Sequence, residues 1–177
     1  MADTPSIITE NAARLRELHD EIHRTYRLGP HGPDHHAACR RFHGSYDALA
    51  FPGGLTLGLD RLKRLDPLTV EMAVRFLEED PWFHRSGYIK EVIVMRLKNA
   101  LLTQPQRYRL ASVVLRSMVK GSGRAARHLA RLAPMVMSAT FTNEMAVNAE
   151  ADDAEIISRR GQVANGHFSV TRCAVVN

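Results

Sequence analysis

DPLTVEMAVRFLEEDPWFHRSGYIKEVIVMRLKNALLTQPQRYRLASVVLRSMVKGSGRAARHLARLA, residues 66–133, decides the fold. It opens on Asp66, a side chain suited to capping a helix, and Pro67, whose missing N–H costs nothing at the first helical position. Val70, Ala73, Phe76 and Leu77 then recur at helical spacing to about Glu79, where Asp80-Pro81 closes the run. Ser86 or Gly87 opens the next helix, which extends to about Leu102, and Thr103 with Pro105 starts another that reaches Val119. Lys120-Gly-Ser-Gly123 breaks the chain, and Arg124–Ala133 is helical before Pro134. The stretch is two successive helical hairpins.

The second hairpin echoes the first. Laying Pro67 on Pro105 places Met72 on Leu110, Ala73 on Ala111, Phe76 on Val114 and Leu77 on Leu115. With one residue fewer in between, Ile89 falls on Ala126, Val92 on Leu129, Ile93 on Ala130 and Met95 on Leu132. A step of 38 residues between the two prolines is a spacing used by stacked helical hairpins. The arrangement is HEAT-like in architecture, with an irregular bundle as the alternative, since a solenoid usually stacks three or more units.

Outward from this centre the pattern stays helical. Thr4 or Thr9 can cap a first helix to about Arg27, with Leu15, Leu18, Ile22 and Tyr26 as its buried stripe. Two glycines and two prolines in Leu28-Gly-Pro-His-Gly-Pro33 end it. Asp34 caps a second helix over 35–49, with Cys39, Phe42, Tyr46 and Leu49 on one face. After Phe51-Pro-Gly-Gly54, Leu55, Leu59, Leu62 and Leu65 form a short third helix. At the other end, Met135–Val147 suits one more helix. Residues 149–155 are acidic, and His167–Val176 is β-prone with partial alternation. The expected fold is all-α: a helical domain of about seven helices over residues 1–148, followed by an acidic linker and an extended or β-prone tail over 149–177. The tail packs on the domain or on a partner.

Composition sets further bounds. The chain has 177 residues, enough for one ordinary core, with 45% hydrophobic and 24% charged residues, as in a globular protein. The net charge is +5 and the cations are nearly all arginine, lysine occurring only at 63, 90, 98 and 120. A GC-rich coding sequence accounts for such a bias, as does recognition of phosphate or carboxylate, for which a guanidinium is well shaped. Cys39 and Cys173 are far apart and form no CxxC, which excludes a disulfide framework and fits a reducing compartment. The first residues lack the apolar core of a secretory signal, and no apolar run approaches a membrane span. A cytoplasmic, soluble protein is the expectation.

Three constellations can carry function. Histidines concentrate at His19, His23, His31, His35, His36 and His43. His19 and His23 stand one helical turn apart, as do His35, Cys39 and His43, the spacing by which helices present imidazoles to a transition metal. His19, His23, His35 and His43 are therefore the candidate metal ligands. Cys39 also falls on an apolar stripe, which makes it a small buried hydrophobe. The second constellation is basic: Arg109, Arg116 and Lys120 share one helix face, and Arg124, Arg127 and Arg131 share the next. Six cations around one hairpin suit a phosphate backbone or an acidic partner, although no aromatics interleave with them. The third is Asp80-Pro-Trp-Phe-His84, which holds the only tryptophan. Trp82 and Phe83 serve either as an interface anchor or as a cover for the end of the helix pair.

No phosphate-binding GxxxxGK[ST], no GxGxxG after a strand, no GxSxG elbow and no HExxH is present, and no catalytic residue is assigned. The sequence is read as a non-catalytic binding or scaffold protein whose helical-repeat-like surface docks a protein partner or a second copy. The alternatives are a nucleic-acid-binding protein using the Arg109–Arg131 face and a His-rich metalloprotein.

Overall fold

A computed structural model of the chain describes residues 6–119 and 128–137. Lys120, Arg124, Arg127, Cys173, the acidic segment and the β-prone tail lie outside the described residues, as does the expected boundary at 148. Among the described residues every regular element is a helix: α1 (Ile7–Leu28), α2 (Pro33–Ala50), α3 (Leu55–Lys63), α4 (Pro67–Glu79), α5 (Ser86–Leu97), α6 (Gln104–Val119) and the short α7 (Ala133–Val136). Residues 128–130 are helical as well. These helices belong to one unit of the chain, Met1–Val136. The all-α class follows directly from the 3.6-residue apolar spacing and the regular placement of Pro and Gly between helices.

The starts of α1, α2, α3, α4 and α6 each have a chemical cause. Ser6, rather than Thr4 or Thr9, caps α1: its Oγ accepts the Thr9 N–H at 3.2 Å. α2 begins at Pro33, two residues earlier than an Asp34 cap implies, because proline fits the first helical position after Gly32. α3 borrows its cap from the preceding helix. Asp47 Oδ1 accepts the Thr56 N–H at 2.9 Å and also the Thr56 hydroxyl, and these bonds hold the Asp47 carboxyl below the usual carboxylate range. That reach requires the chain to fold back at Gly53 and Gly54, both at positive φ (81° and 92°), where a side chain is disfavoured. Asp66 caps α4 by accepting from the Thr69 N–H at 2.9 Å and its hydroxyl at 2.6 Å. α6 opens with a reciprocal capping box: the Thr103 N–H donates to Gln106 Oε1 at 3.0 Å, and the Gln106 N–H to Thr103 Oγ1 at 3.5 Å.

α1 and α2 form an antiparallel hairpin. Thr25 meets His35, Glu21 meets Arg41 at 2.6 Å, and His19 meets Phe42, so the chain positions count down on one helix as they count up on the other. Leu15, Leu18 and Phe42 are buried as their spacing implies. Ile22, Cys39, Tyr46 and Leu49 are only half-buried, and Tyr26, in the last turn of α1 before the bend, is exposed. α3 packs on α2, α4 and α5, and the Arg96 guanidinium donates to the Leu59 carbonyl, which fixes α5 to α3.

In the central stretch α4 occupies the residues its sequence assigns, and Val70, Ala73, Phe76 and Leu77 are all buried. α5 stops at Leu97, five residues short of Leu102, in a turn over Lys98–Ala100 that leaves the Leu101 side chain in solvent. α4 packs against both α5 and α6. The echoed pairs Ala73 and Ala111, and Phe76 and Val114, are buried in both helices. Glu91 on α5 reaches His128 Nε2 at 3.2 Å, so the second helices of the two hairpins also touch.

Phe51, fully buried between α2 and α3, packs its ring 5.5 Å from that of Phe76. The Phe51 ring also lies against Gly58. A Cβ at position 58 would sit 2.8 Å from Phe51 Cε1 and nearer still to Cδ1. Gly58→Ala therefore lowers stability by about 1–3 kcal/mol despite alanine's better helix propensity, measured by urea unfolding. A neutral or stabilising substitution would show that the Phe51 ring is free to move.

Candidate functional site

The segment linking α4 to α5 is short, polar at its ends and apolar in its middle. It is bounded by two non-glycine residues in the left-handed region, Asp80 (φ 48°) and Arg85 (φ 64°). That conformation costs on the order of 1 kcal/mol for each residue and persists only where surrounding contacts fix it. Those contacts are visible. Phe83 is 3% exposed and lies edge-on to the rings of Tyr46 and Phe76, at 6.3 Å and 6.4 Å. The Phe83 N–H donates to Ser86 Oγ at 3.3 Å, and the Ser86 N–H returns to the Phe83 carbonyl at 3.0 Å. Lys90, whose side chain is 8% exposed, donates to Asp80 Oδ1 at 2.6 Å and so fixes the start of the segment to α5.

The α1–α2 hairpin holds the same segment from the other side. Arg16 Nη1 donates to the Trp82 carbonyl at 2.8 Å, and the Tyr46 hydroxyl donates to the His84 carbonyl at 2.9 Å. Burial holds the Tyr46 phenol above its ordinary proton affinity, against the opposing charge of Arg85, so it remains a donor at neutral pH. Backbone carbonyls on both sides of Phe83 are thus pinned by side chains from two different helices. Trp82, between those anchors, stays 73% exposed. Of the two expected anchors, Phe83 covers the helix ends and Trp82 is presented outward. A dipeptide that sequence alone assigns to one role or the other divides between them.

His84 completes the arrangement. Its ring stacks on His19 with centroids 4.6 Å apart and planes 22° off parallel, and its edge approaches Phe42 at 5.9 Å. His23 meets His19 edge-on, also at 4.6 Å. Burial, then the proximity of His84 and of His23, lowers the proton affinity of His19, with Asp20 acting weakly the other way. The other two candidate metal ligands sit elsewhere. His35 contacts the Tyr26 ring, Thr25 Oγ1 at 3.4 Å and Cys39 Sγ at 3.6 Å, and His43 lies edge-on to Phe42. Among the described residues no group of three or more His, Cys, Asp or Glu is positioned to hold a metal ion. Sequence spacing paired His19 with His23 correctly as neighbours. It gave no signal for His84, which arrives from the far end of α4.

The basic face is partly spoken for. Arg109 is 29% exposed and bonds two carboxylates of α4: Nη1 to Glu71 Oε1 at 2.5 Å, and Nη2 to Glu78 Oε2 at 2.8 Å. The Glu78 hydrogen bonds above all raise its proton affinity further, so the charge is permanent and locally matched. Burial pushes the Glu71 carboxyl up, but hydrogen bonds from Arg109 and Gln106 outweigh it and hold that carboxyl below the ordinary range. Arg116 donates to the Glu78 carbonyl at 2.9 Å from an exposed position, and Arg131 is exposed. Arg109 is therefore first a tie between α4 and α6.

Compared with known proteins, the chain matches no family model, no curated protein and no solved structure. No helix among the described residues is long and apolar enough to cross a membrane.

Arg109→Met lowers stability at neutral pH by about 1 kcal/mol, a figure kept small because both carboxylates are partly solvated. The loss depends on pH in a defined direction. A carboxylate held below its ordinary value of 4.5 contributes fully above that pH, and its contribution disappears as pH falls through the lowered value. The gap between wild type and variant in urea unfolding therefore closes in acid. A gap that stays constant down to pH 3 would contradict the tie.

Proposed function

We propose that this protein is a non-catalytic docking protein that binds a protein partner through the surface centred on Trp82. The observation that carries the reading is the indole itself: 73% exposed, yet on a segment whose backbone is fixed on both sides. An exposed tryptophan on a pinned segment gives a large apolar contact with little conformational entropy left to lose on binding, which is the character of interface anchors. The strained left-handed residues at both ends of the segment agree with this, since such strain persists where a particular presentation is held.

The surroundings favour an acidic partner. Two cations stand at the segment, Arg16 on its backbone and Arg85 at its end, while Asp80, the acidic residue of the segment, is bonded to Lys90. The two central hairpins are read as one repeat-like scaffold behind this surface. That reading is supported by the packing of α4 on α6 and by the Glu91–His128 contact. A scaffold of this type gives rigid, extended faces without requiring a pocket.

The test places a photo-crosslinking benzophenone residue at position 82 in the native host, with position 68 as control, since Leu68 is 77% exposed at the other end of α4. The expected result is one discrete protein adduct from position 82, absent from position 68 and weakened by Arg85→Glu. Identical adducts from both positions, an adduct of twice the chain mass, or one removed by nuclease would each overturn the reading.

A further inference from the structure

The contact between His84 and the first helix has a property that the carbonyl anchors lack: it titrates. Three imidazoles meet at one point, His19 between His84 and His23, each neighbour at 4.6 Å between ring centroids. His19 is half-buried, and the other two are exposed and open to protons from solvent. Asp20 favours a proton on His19, but it is the weakest influence on that ring. A second proton puts like charges on rings in van der Waals contact, with Arg16 and Arg85 already nearby.

The remaining charged and titratable groups do not relieve this. On α2 the neighbours are the Phe42 ring, His43 against it, and the Tyr46 phenol. From α5, Lys90 uses its charge on Asp80, the acidic residue within the segment itself. Glu79, at the end of α4, accepts from Ser6 and from Thr9 at 3.2 Å. Acid therefore adds positive charge at a point where the closest carboxylates are engaged elsewhere or act weakly.

We propose that the His19–His23–His84 cluster is an acid-sensitive latch that holds the Asp80–Arg85 segment on the α1–α2 hairpin and releases it when a second proton enters. At neutral pH the stacked rings seat the segment and fix Trp82. Below the ordinary histidine range His84 leaves His19, the segment loosens, and the fixed presentation of the indole is lost. The sign follows from linkage. A histidine held below its ordinary value of 6.5 stabilises the seated form fully above that pH, and the stabilisation falls as pH drops from there toward the lowered value. The consequence for docking rests on the reading of Trp82 given above. The latch itself is tested on the isolated protein, so failure of one does not imply failure of the other.

Trp82 is the only tryptophan in the chain and reports on its own segment. Its emission and steady-state anisotropy are followed from about pH 7.5 to 5, alongside far-UV circular dichroism. The expected result is a change in the indole signal with a midpoint below 6.5 at constant helicity, in the wild type and in a control His31→Gln. In His84→Gln, which keeps polarity and removes the charge, that transition disappears or moves down by about one pH unit, a tenfold change in proton concentration. As a second readout needing no variant, the His19 ring resonances in proton NMR titrate below the ordinary histidine value of 6.5. A flat indole signal, a transition unchanged in His84→Gln, a signal that moves only together with helicity, or a His19 that titrates at or above 6.5 would each overturn the latch.

Discussion

The burial of Phe83 is the constraint on which the arrangement depends. Its ring sits against Tyr46 of α2 and Phe76 of α4, so one side chain joins the N-terminal hairpin to the central helices. Fully burying a phenyl ring contributes roughly 1.5–3 kcal/mol, enough to offset the two left-handed residues that turn the segment inward. Once Phe83 is seated, its neighbours have little freedom. The carbonyls of Trp82 and His84 fall within reach of Arg16 and Tyr46, the His84 ring meets His19, and the indole is left facing solvent. The exposed anchor and the titratable contact are thus two consequences of one apolar insertion.

Around this point the helices are tied by polar contacts between remote positions. Arg109 joins α6 to α4, Arg96 joins α5 to α3, Asp47 closes α2 onto α3, and Glu79 receives Ser6 and Thr9 from the start of α1. Each satisfies a helix end or a charge that would otherwise face a partly buried surface. The abundance of arginine fits this use, since its branched head can bond to two acceptors on a neighbouring helix at once.

Much of the helical plan is legible in the residues. Pro67 to Glu79 is bounded by chemistry that leaves no choice: a capping aspartate and a proline at one end, Asp80-Pro81 at the other. The ends that shift do so where two local signals compete, as with Ser6 against Thr9, or where apolar residues continue past the last helical bond, as with Leu101 and Leu102 after α5. The candidate site was legible only in its composition. Trp82 and Phe83 stand out as a rare aromatic pair, but their opposite fates depend on Tyr46 and Phe76, which local sequence does not place beside them. His84 joins His19 across 65 positions, a contact that no periodicity encodes. Arg109 shows the converse: helical spacing puts it on a basic face, while packing of α4 on α6 supplies two carboxylates that the spacing cannot reveal.

Trp82 is exposed and yet held. Time-resolved fluorescence anisotropy of the wild-type protein at neutral pH tests it most directly, because the lone indole reports motion on the nanosecond scale. The expected decay is dominated by one slow component equal to the tumbling time of the helical unit that carries the indole. A decay dominated by a sub-nanosecond component would show that the indole swings freely and that the pinned segment does not present it.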